Sequence, residues 1–279
     1  MHRNKKLGIY ILPSILCVLA MLVAACGSNG SGTSATTTTS KPAAASADKQ
    51  VFRYPIGDTD FGTLDPALVQ NSTDSQAIQT MFTGLVQFKD DGTVVDQLAA
   101  SHKLSADGLT YTFTMKPNLK FSDGAPLTSK DVAYSINRSL DPALKSPVSY
   151  YLALLKDYDA FQNGKVKTLI GDSIVTPDDN TIALTISKPA AYFLQALTYP
   201  ISYAVEKSLI DKYGDSKWTD HLNEGGGDGP FKASSYVHTQ GLDVVPNANY
   251  YGAKPQLQKI QFLISGDTAT ETKSYLSGQ

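Results

Sequence analysis

Cysteine is nearly absent from this 279-residue chain, which carries only Cys17 and Cys26. Cys17 lies inside an apolar leading run and would leave with it, so a mature chain would keep Cys26 alone. One thiol supports neither a disulfide framework nor a metal–thiolate centre. An excess of one charge is missing too: 24 basic residues face 26 acidic ones, which leaves no electrostatic footprint for nucleic acid. Beyond His2 there are only His102, His221 and His238, scattered and outside any H-E-x-x-H pattern, so a zinc site is not expected. There is no G-x-S-x-G elbow and no Gly-Lys-Ser/Thr phosphate loop. Ser46-Ala47-Asp48-Lys49 matches S-x-x-K, but it sits in a stretch too polar to build an oxyanion hole around it. These absences predict a protein that is not an enzyme and that holds neither cofactor nor metal. Hydrophobic content of 42% and charge of 18% are those of a globular chain.

The N-terminus reads as a targeting segment. His2, Arg3, Lys5 and Lys6 form a basic start, and residues 7–24 form a nearly uncharged apolar run. The run ends in Leu22-Val23-Ala24-Ala25-Cys26-Gly27, which resembles a bacterial lipobox: an aliphatic residue, two small residues, then the thiol that takes the lipid. An uncleaved membrane anchor is the other reading, because the run approaches the ~18-residue threshold for a span. The expectation is a signal peptide over 1–25, lipid attachment at Cys26, and a disordered Ser/Thr/Gly/Ala tether over 26–50. Such a coil spans roughly 25–30 Å on average.

The clearest local pattern runs from Thr110 to Leu140. Tyr111, Phe113 and Met115 alternate with threonines and predict a half-buried strand. Ser122-Asp123-Gly124-Ala125-Pro126 predicts a reversal, and Thr128 an N-cap with Asp131 reaching back to it. Val132, Ile136 and Leu140 give the following helix one apolar stripe. Elsewhere the patterns predict a strand from Val51, a helix over 72–83 stopped by Gly84, and short hairpins over 85–115. A helix carrying Leu152, Leu155 and Phe161 is expected next, then a hairpin over 174–186 and a second amphipathic helix after Tyr192-Phe193. A hairpin over 231–246, a strand from Lys259 and a helix from Thr268 close the chain. Asp58 and Asp60 suggest a calcium loop, but Gly62 and Val69 stand where oxygen ligands belong.

The string FSDGAPLTSKDVAYS, 121–135, resembles the signature of the family 5 extracellular solute-binding proteins of ABC importers, the oligopeptide-binding group. Thr63-Leu64-Asp65-Pro66, Met81-Phe82-Thr83-Gly84-Leu85, Ser187-Lys188-Pro189 with Tyr192-Phe193, and Lys212-Tyr213-Gly214 with Trp218 are similar to further family motifs. At Gly227-Asp228-Gly229-Pro230 the chain departs from the usual G-T-G-P, with Asp228 in place of Thr. The resemblance implies an α/β, periplasmic-binding-protein-like two-lobed fold with mixed sheets, truncated here before a third domain. Lobe I would comprise 51–83 and 205–279, and an inserted second domain 84–204.

The resemblance also implies a ligand held through its own main chain, like an added strand. Counting from Leu64-Asp65-Pro66, the rim that meets the ligand falls on Gln70, Asn71 and Ser72; the same Asn71-Ser72 pair equally reads as a helix cap. A family contact aromatic after Ser146-Pro147 corresponds to Val148, with Tyr150 and Tyr151 just beyond as substitutes or as core residues. The implied function is a lipid-anchored, extracytoplasmic, monomeric receptor that captures oligopeptides and hands them to ABC permease subunits. A nickel chelate, haem or a sugar remains open as ligand. So does a truncated surface lipoprotein without transport function.

Overall fold

The computed structural model describes Ser46 and residues 49–278. The leader, Cys26 and most of the tether lie outside the described residues. None of the described helices is long and apolar enough to cross a membrane.

Two sheets, each four strands wide, organise the fold. The first mixes directions in the order β1 (Val51–Pro55), β10 (Lys259–Leu263), β9 (Gly241–Pro246), β8 (Phe231–Val237), with β1 and β10 parallel and the other pairs antiparallel. The second is antiparallel in the order β4 (Ala99–Leu104), β5 (Thr110–Met115), β7 (Thr181–Thr185), β6 (Ile174–Asp178). A small ribbon of β2 (Val86–Phe88) and β3 (Val94–Asp96) precedes it. The alternation read at 110–115 is real: Tyr111, Phe113 and Met115 point into a core while Thr110, Thr112 and Thr114 do not.

Each sheet has its own core. One draws on Leu85 through Ala204 and includes Phe113, Phe121, Ile136, Leu184 and Phe193. The other draws on residues 61–82 and 203–262, with Phe82, Trp218, Val244 and Phe262 at its centre. The chain leaves the second core at Thr83 and re-enters it around Tyr203 and Ala204. These two crossings lie side by side, with the Ala204 N–H donating to the Thr83 carbonyl at 3.0 Å.

The helices follow the expected signals with three differences. Helix α1 (Ser72–Met81) ends at Phe82, which turns extended at φ −128°, not at a left-handed Gly84. Gly84 is needed for closeness: a Cβ there would lie 2.9 Å from the Tyr203 ring. Helix α2 (Ser129–Ser139) starts as predicted, with Asp131 accepting from both the N–H and the hydroxyl of Thr128 at 2.8 Å. The single helix expected over Leu152 to Phe161 is instead a 3₁₀ turn, Ser149–Leu152, and a short helix α3, Tyr158–Gln162. Asp157, left-handed at φ 61°, separates the two. The helix expected after Tyr192 shrinks to one turn, α4 (Phe193–Ala196), whose job is to bury Phe193 beside Tyr111. Helices α5 (Lys207–Tyr213) and α6 (Thr268–Leu276) complete the set.

Candidate functional site

Beside the N-terminus of α1 the surface opens into a hollow of about 370 Å³. One wall is the segment entering α1: Val69, Gln70, Asn71, Ser72 and Ser75. The facing wall is Pro147, Val148, Tyr150 and Tyr151, and Tyr199, Pro200 and Ile201 close it. The six ligand candidates named from the sequence thus line one cavity. They come from two stretches that are far apart in the chain. Ser146 ties those stretches together, its hydroxyl donating to the Ala67 carbonyl at 2.6 Å.

The rim residues divide in their duties. Asn71 is committed to the helix cap: its Oδ1 accepts from the Asp74 N–H and its Nδ2 donates to the Asp74 carboxylate, each at 2.8 Å. Asn71 is therefore both wall and cap. Gln70 is different. Among the described residues no hydrogen bond engages its side-chain amide, its main-chain N–H or its carbonyl. An exposed main-chain segment with unspent donors and acceptors is where a ligand chain can pair.

Tyr150 and Tyr151 are both wall, and Tyr151 is core as well. Tyr151 packs on the core of the antiparallel sheet and stacks on both neighbours, with ring centroids 4.5 Å from Tyr150 and 4.0 Å from Tyr199. Tyr150 is 61% exposed and Tyr199 43%. The hydroxyls of Tyr150 and Tyr199 beside it hold the Tyr151 phenol well above its ordinary pKa, so it stays protonated. In the sequence Tyr199-Pro200-Ile201-Ser202 marks only where the chain crosses back to the first lobe, and the fold brings Tyr199 to Tyr151.

A second hollow, of about 520 Å³, adjoins the first across Gln70, Asn71 and Pro147. Its wall is acidic, with Asp65, Asp74, Asp215 and Asp220, and includes His238. These carboxylates are largely engaged within the fold. Asp74 accepts from the N–H groups of Gly62 at 3.2 Å and Thr63 at 2.9 Å. Burial raises its pKa above the ordinary carboxylate value. Asp60, at the edge of the same region, takes the Tyr236 hydroxyl and, at 2.6 Å, His238 Nδ1. That contact raises the His238 pKa. No group of three or more metal-ligating side chains converges among the described residues.

A buried ion pair, whose Asp65 also lines the second hollow, unites three of the sequence motifs. Arg138, from α2, holds Asp65 of the Thr-Leu-Asp-Pro turn through both carboxylate oxygens, at 3.2 and 2.6 Å. Trp218 Nε1 donates to the same Asp65 oxygen at 3.2 Å. At the crossing, the fully buried Asp228 accepts from the N–H of Thr83 at 2.9 Å and from its hydroxyl. Burial pushes the Asp228 pKa up to about 7.

Comparison with known proteins agrees with this architecture. Residues 93–279 match the profile described as "Bacterial extracellular solute-binding proteins, family 5 Middle". The chain is 25% identical over 268 residues to the oligopeptide-binding protein OppA of Bacillus subtilis, covering 95% of this chain and 48% of that protein. It is 32% identical to the periplasmic murein peptide-binding protein MppA of Escherichia coli, covering 83% of this chain and 43% of MppA. It is 31% identical to the probable deoxycholate-binding periplasmic protein YgiS of the same organism, at 84% and 43% coverage. The solved structure of Escherichia coli MppA superimposes with a TM-score of 0.73 at 31% identity, over 82% of this chain and 44% of that one. A periplasmic oligopeptide-binding protein of Borrelia burgdorferi does so with 0.73 at 29%, over 82% and 45%. The chain spans somewhat under half the length of the relatives it matches.

Proposed function

The chain belongs to the family 5 bacterial extracellular solute-binding proteins, a non-enzymatic family that includes oligopeptide binders of ABC importers, and from that premise we propose that it serves as the receptor of a peptide importer. The observation that carries this is the unspent main chain and side-chain amide of Gln70, set in the wall of a hollow that Val148, Tyr150 and Tyr151 face. A peptide laid along that wall would pair with the Gln70 main chain as an added strand does. Gln70 is neutral, so it would offer hydrogen bonds and no countercharge to an ammonium.

In this reading the two cores are the bodies of lobe I, over 51–83 and 205–279, and of the inserted domain, over 84–204. The double crossing at Thr83 and Ala204 supports that division. Cys26 carries the lipid that holds the receptor, a monomer, at the outer face of the membrane. Permease subunits take the peptide from it, and their ATP hydrolysis drives uptake.

The test is native mass spectrometry of the protein purified from its source membrane, before and after denaturation. The expected result is release of short peptides together with a diacylglyceryl adduct that disappears in Cys26→Ser. A ligand-free spectrum, with no mass shift on incubation with a mixed tri- to pentapeptide library, would overturn the receptor reading.

A further inference from the structure

The hollow beside Gln70 has a chemistry narrower than its shape requires. None of its lining side chains carries a formal charge: the polar groups are amides, serine hydroxyls and three phenols. A charged group entering it would give up water and meet no partner, which is costly. The carboxylates nearby open into the adjoining hollow, not into this one.

The three phenols are also ordered. Tyr150, Tyr151 and Tyr199 form a ladder with interplanar angles of 27° and 23°, so their faces are nearly parallel. Parallel rings do not surround a point charge as the walls of a cation cage do. They present a flat end to be continued. Tyr150 stands at one end of the ladder, stacks among the described residues on no ring except Tyr151, and is exposed over most of its surface. Tyr151, in the middle, is braced by the core, so the ladder is held in place before any ligand arrives. A volume of about 370 Å³ lies at the low end of the range for small-molecule sites, enough for one residue of a ligand and not for a chain.

We propose that this hollow is an aromatic subsite: it takes one flat, uncharged ring of the ligand, such as a phenylalanine, tyrosine or tryptophan side chain, as the next rung on Tyr150. This rests on the hollow being the ligand site, and it adds that the site selects by ring and charge. The ligand's main chain pairs with Gln70 while its ring stacks on the ladder. The phenol and serine hydroxyls at the rim accept a polar ring edge, such as an indole N–H.

The experiment is a titration of the full chain with N-acetylated amino-acid amides, followed by ligand-observed NMR. These probes carry one side chain each and no terminal charge. The phenylalanine and tryptophan amides are expected to bind about two- to ten-fold tighter than the leucine amide, the span that aromatic pairing adds to area burial. Arginine and glutamate amides are expected to be weakest. Tyr150→Ala should erase the preference and Tyr150→Phe should keep it. Because Tyr150 is exposed, both variants should fold; Tyr150→Phe should keep the wild-type unfolding midpoint, and Tyr150→Ala should lower it only slightly, through the lost stack on Tyr151.

Equal binding of the leucine and phenylalanine amides, tighter binding of the arginine amide, a preference that survives Tyr150→Ala, or no binding by any amide would each overturn the subsite. Short peptides serve as the second arm. Peptides that bind regardless of side chain would leave the receptor reading standing and remove this one. Aromatic amides that bind as well as any peptide would leave the subsite standing and remove pairing through the ligand main chain.

Discussion

Arg138 grips the carboxylate of Asp65 across 73 residues of sequence, one terminal nitrogen to each oxygen. Asp65 is 2% exposed and Arg138 7%. The pair ties the turn that leads to the wall of the first hollow onto helix α2. Trp218 completes the enclosure, donating its indole N–H to Asp65 and lying 5.7 Å from the guanidinium. Three motifs spread along the chain thus converge on one buried charge pair. None of their charged groups faces the first hollow, so the pair is there to position its wall.

That burial sets a test by contrast. Asp65→Asn leaves the guanidinium buried with one partner neutralised, and removing one member of a buried pair costs about 3–5 kcal/mol. Asp215 also reaches Arg138, at 2.7 Å, but its side chain is 61% exposed. Its share is screened by water, and Asp215→Asn should cost less than about 1 kcal/mol. Urea midpoints of the two variants check this; equal losses would contradict the assignment.

The glycine loop makes a second, steric prediction. A Cβ on Gly229 would lie 2.5 Å from the Met81 carbonyl carbon, and one on Gly227 2.2 Å from the Met81 carbonyl oxygen. Both are main-chain atoms, which cannot swing aside as a side chain can. Gly229→Ala is therefore expected to destabilise by about 1–3 kcal/mol, the usual range for overpacking. Thermal unfolding of the variant is the check.

How far the sequence could be read follows from the range of each signal. The strand over 110–115, the capped helix at Thr128 and the hairpin expected over 174–186 depend on neighbours a few residues apart, and the fold keeps them, the hairpin ending at Thr185. The rim at Gln70 was placed by resemblance to a motif only a few residues away, and it does line a hollow. The tyrosine ladder was half visible: Tyr150 and Tyr151 were ambiguous between wall and core, and Tyr199 joins them only through tertiary packing. The broken helix after Ser149 was hidden for the opposite reason. Its apolar spacing is helical, but Leu155 is drawn into a bridge with Ile186, and Asp157 turns left-handed to allow it. Tertiary pairing won over local periodicity there.

Gln70 and Asn71 are neighbours with separable roles, and single substitutions should separate them. Asn71→Ala removes the cap from α1 and is expected to cost about 1 kcal/mol of stability. Gln70→Ala removes no bond within the fold, so the unfolding midpoint should stay within about 0.5 kcal/mol of wild type. Peptide affinity should fall several-fold in Gln70→Ala, because the lost amide is worth roughly one neutral hydrogen bond. Calorimetric titration beside denaturant melts measures both quantities. A Gln70→Ala protein that binds unchanged would take its side chain out of the site.

Asp228 makes stability depend on pH, and the sign can be worked out. Burial raises its pKa from 3.8 to about 7, so the folded chain holds this proton more tightly than the unfolded chain does. The contribution is fully present below 3.8 and is lost as the pH rises through about 7, where the carboxylate must ionise in a dry setting. No cation answers that charge among its hydrogen-bond partners, which are the N–H and hydroxyl of Thr83. Burial, and after it the negative charge of Asp228, holds the pKa values of the Tyr203, Tyr250 and Tyr251 phenols up. Asp228→Asn keeps the shape and an acceptor for the Thr83 N–H while removing the ionisation. The variant should therefore match wild type at acidic pH and exceed it above neutrality. The readout is the difference in unfolding free energy between the two proteins across the window from 3.8 to about 7, which cancels every other titrating group. A difference that stays flat would mean that Asp228 ionises without cost. One that shrinks with rising pH would reverse the sign and show the carboxylate to be the favoured form at the crossing.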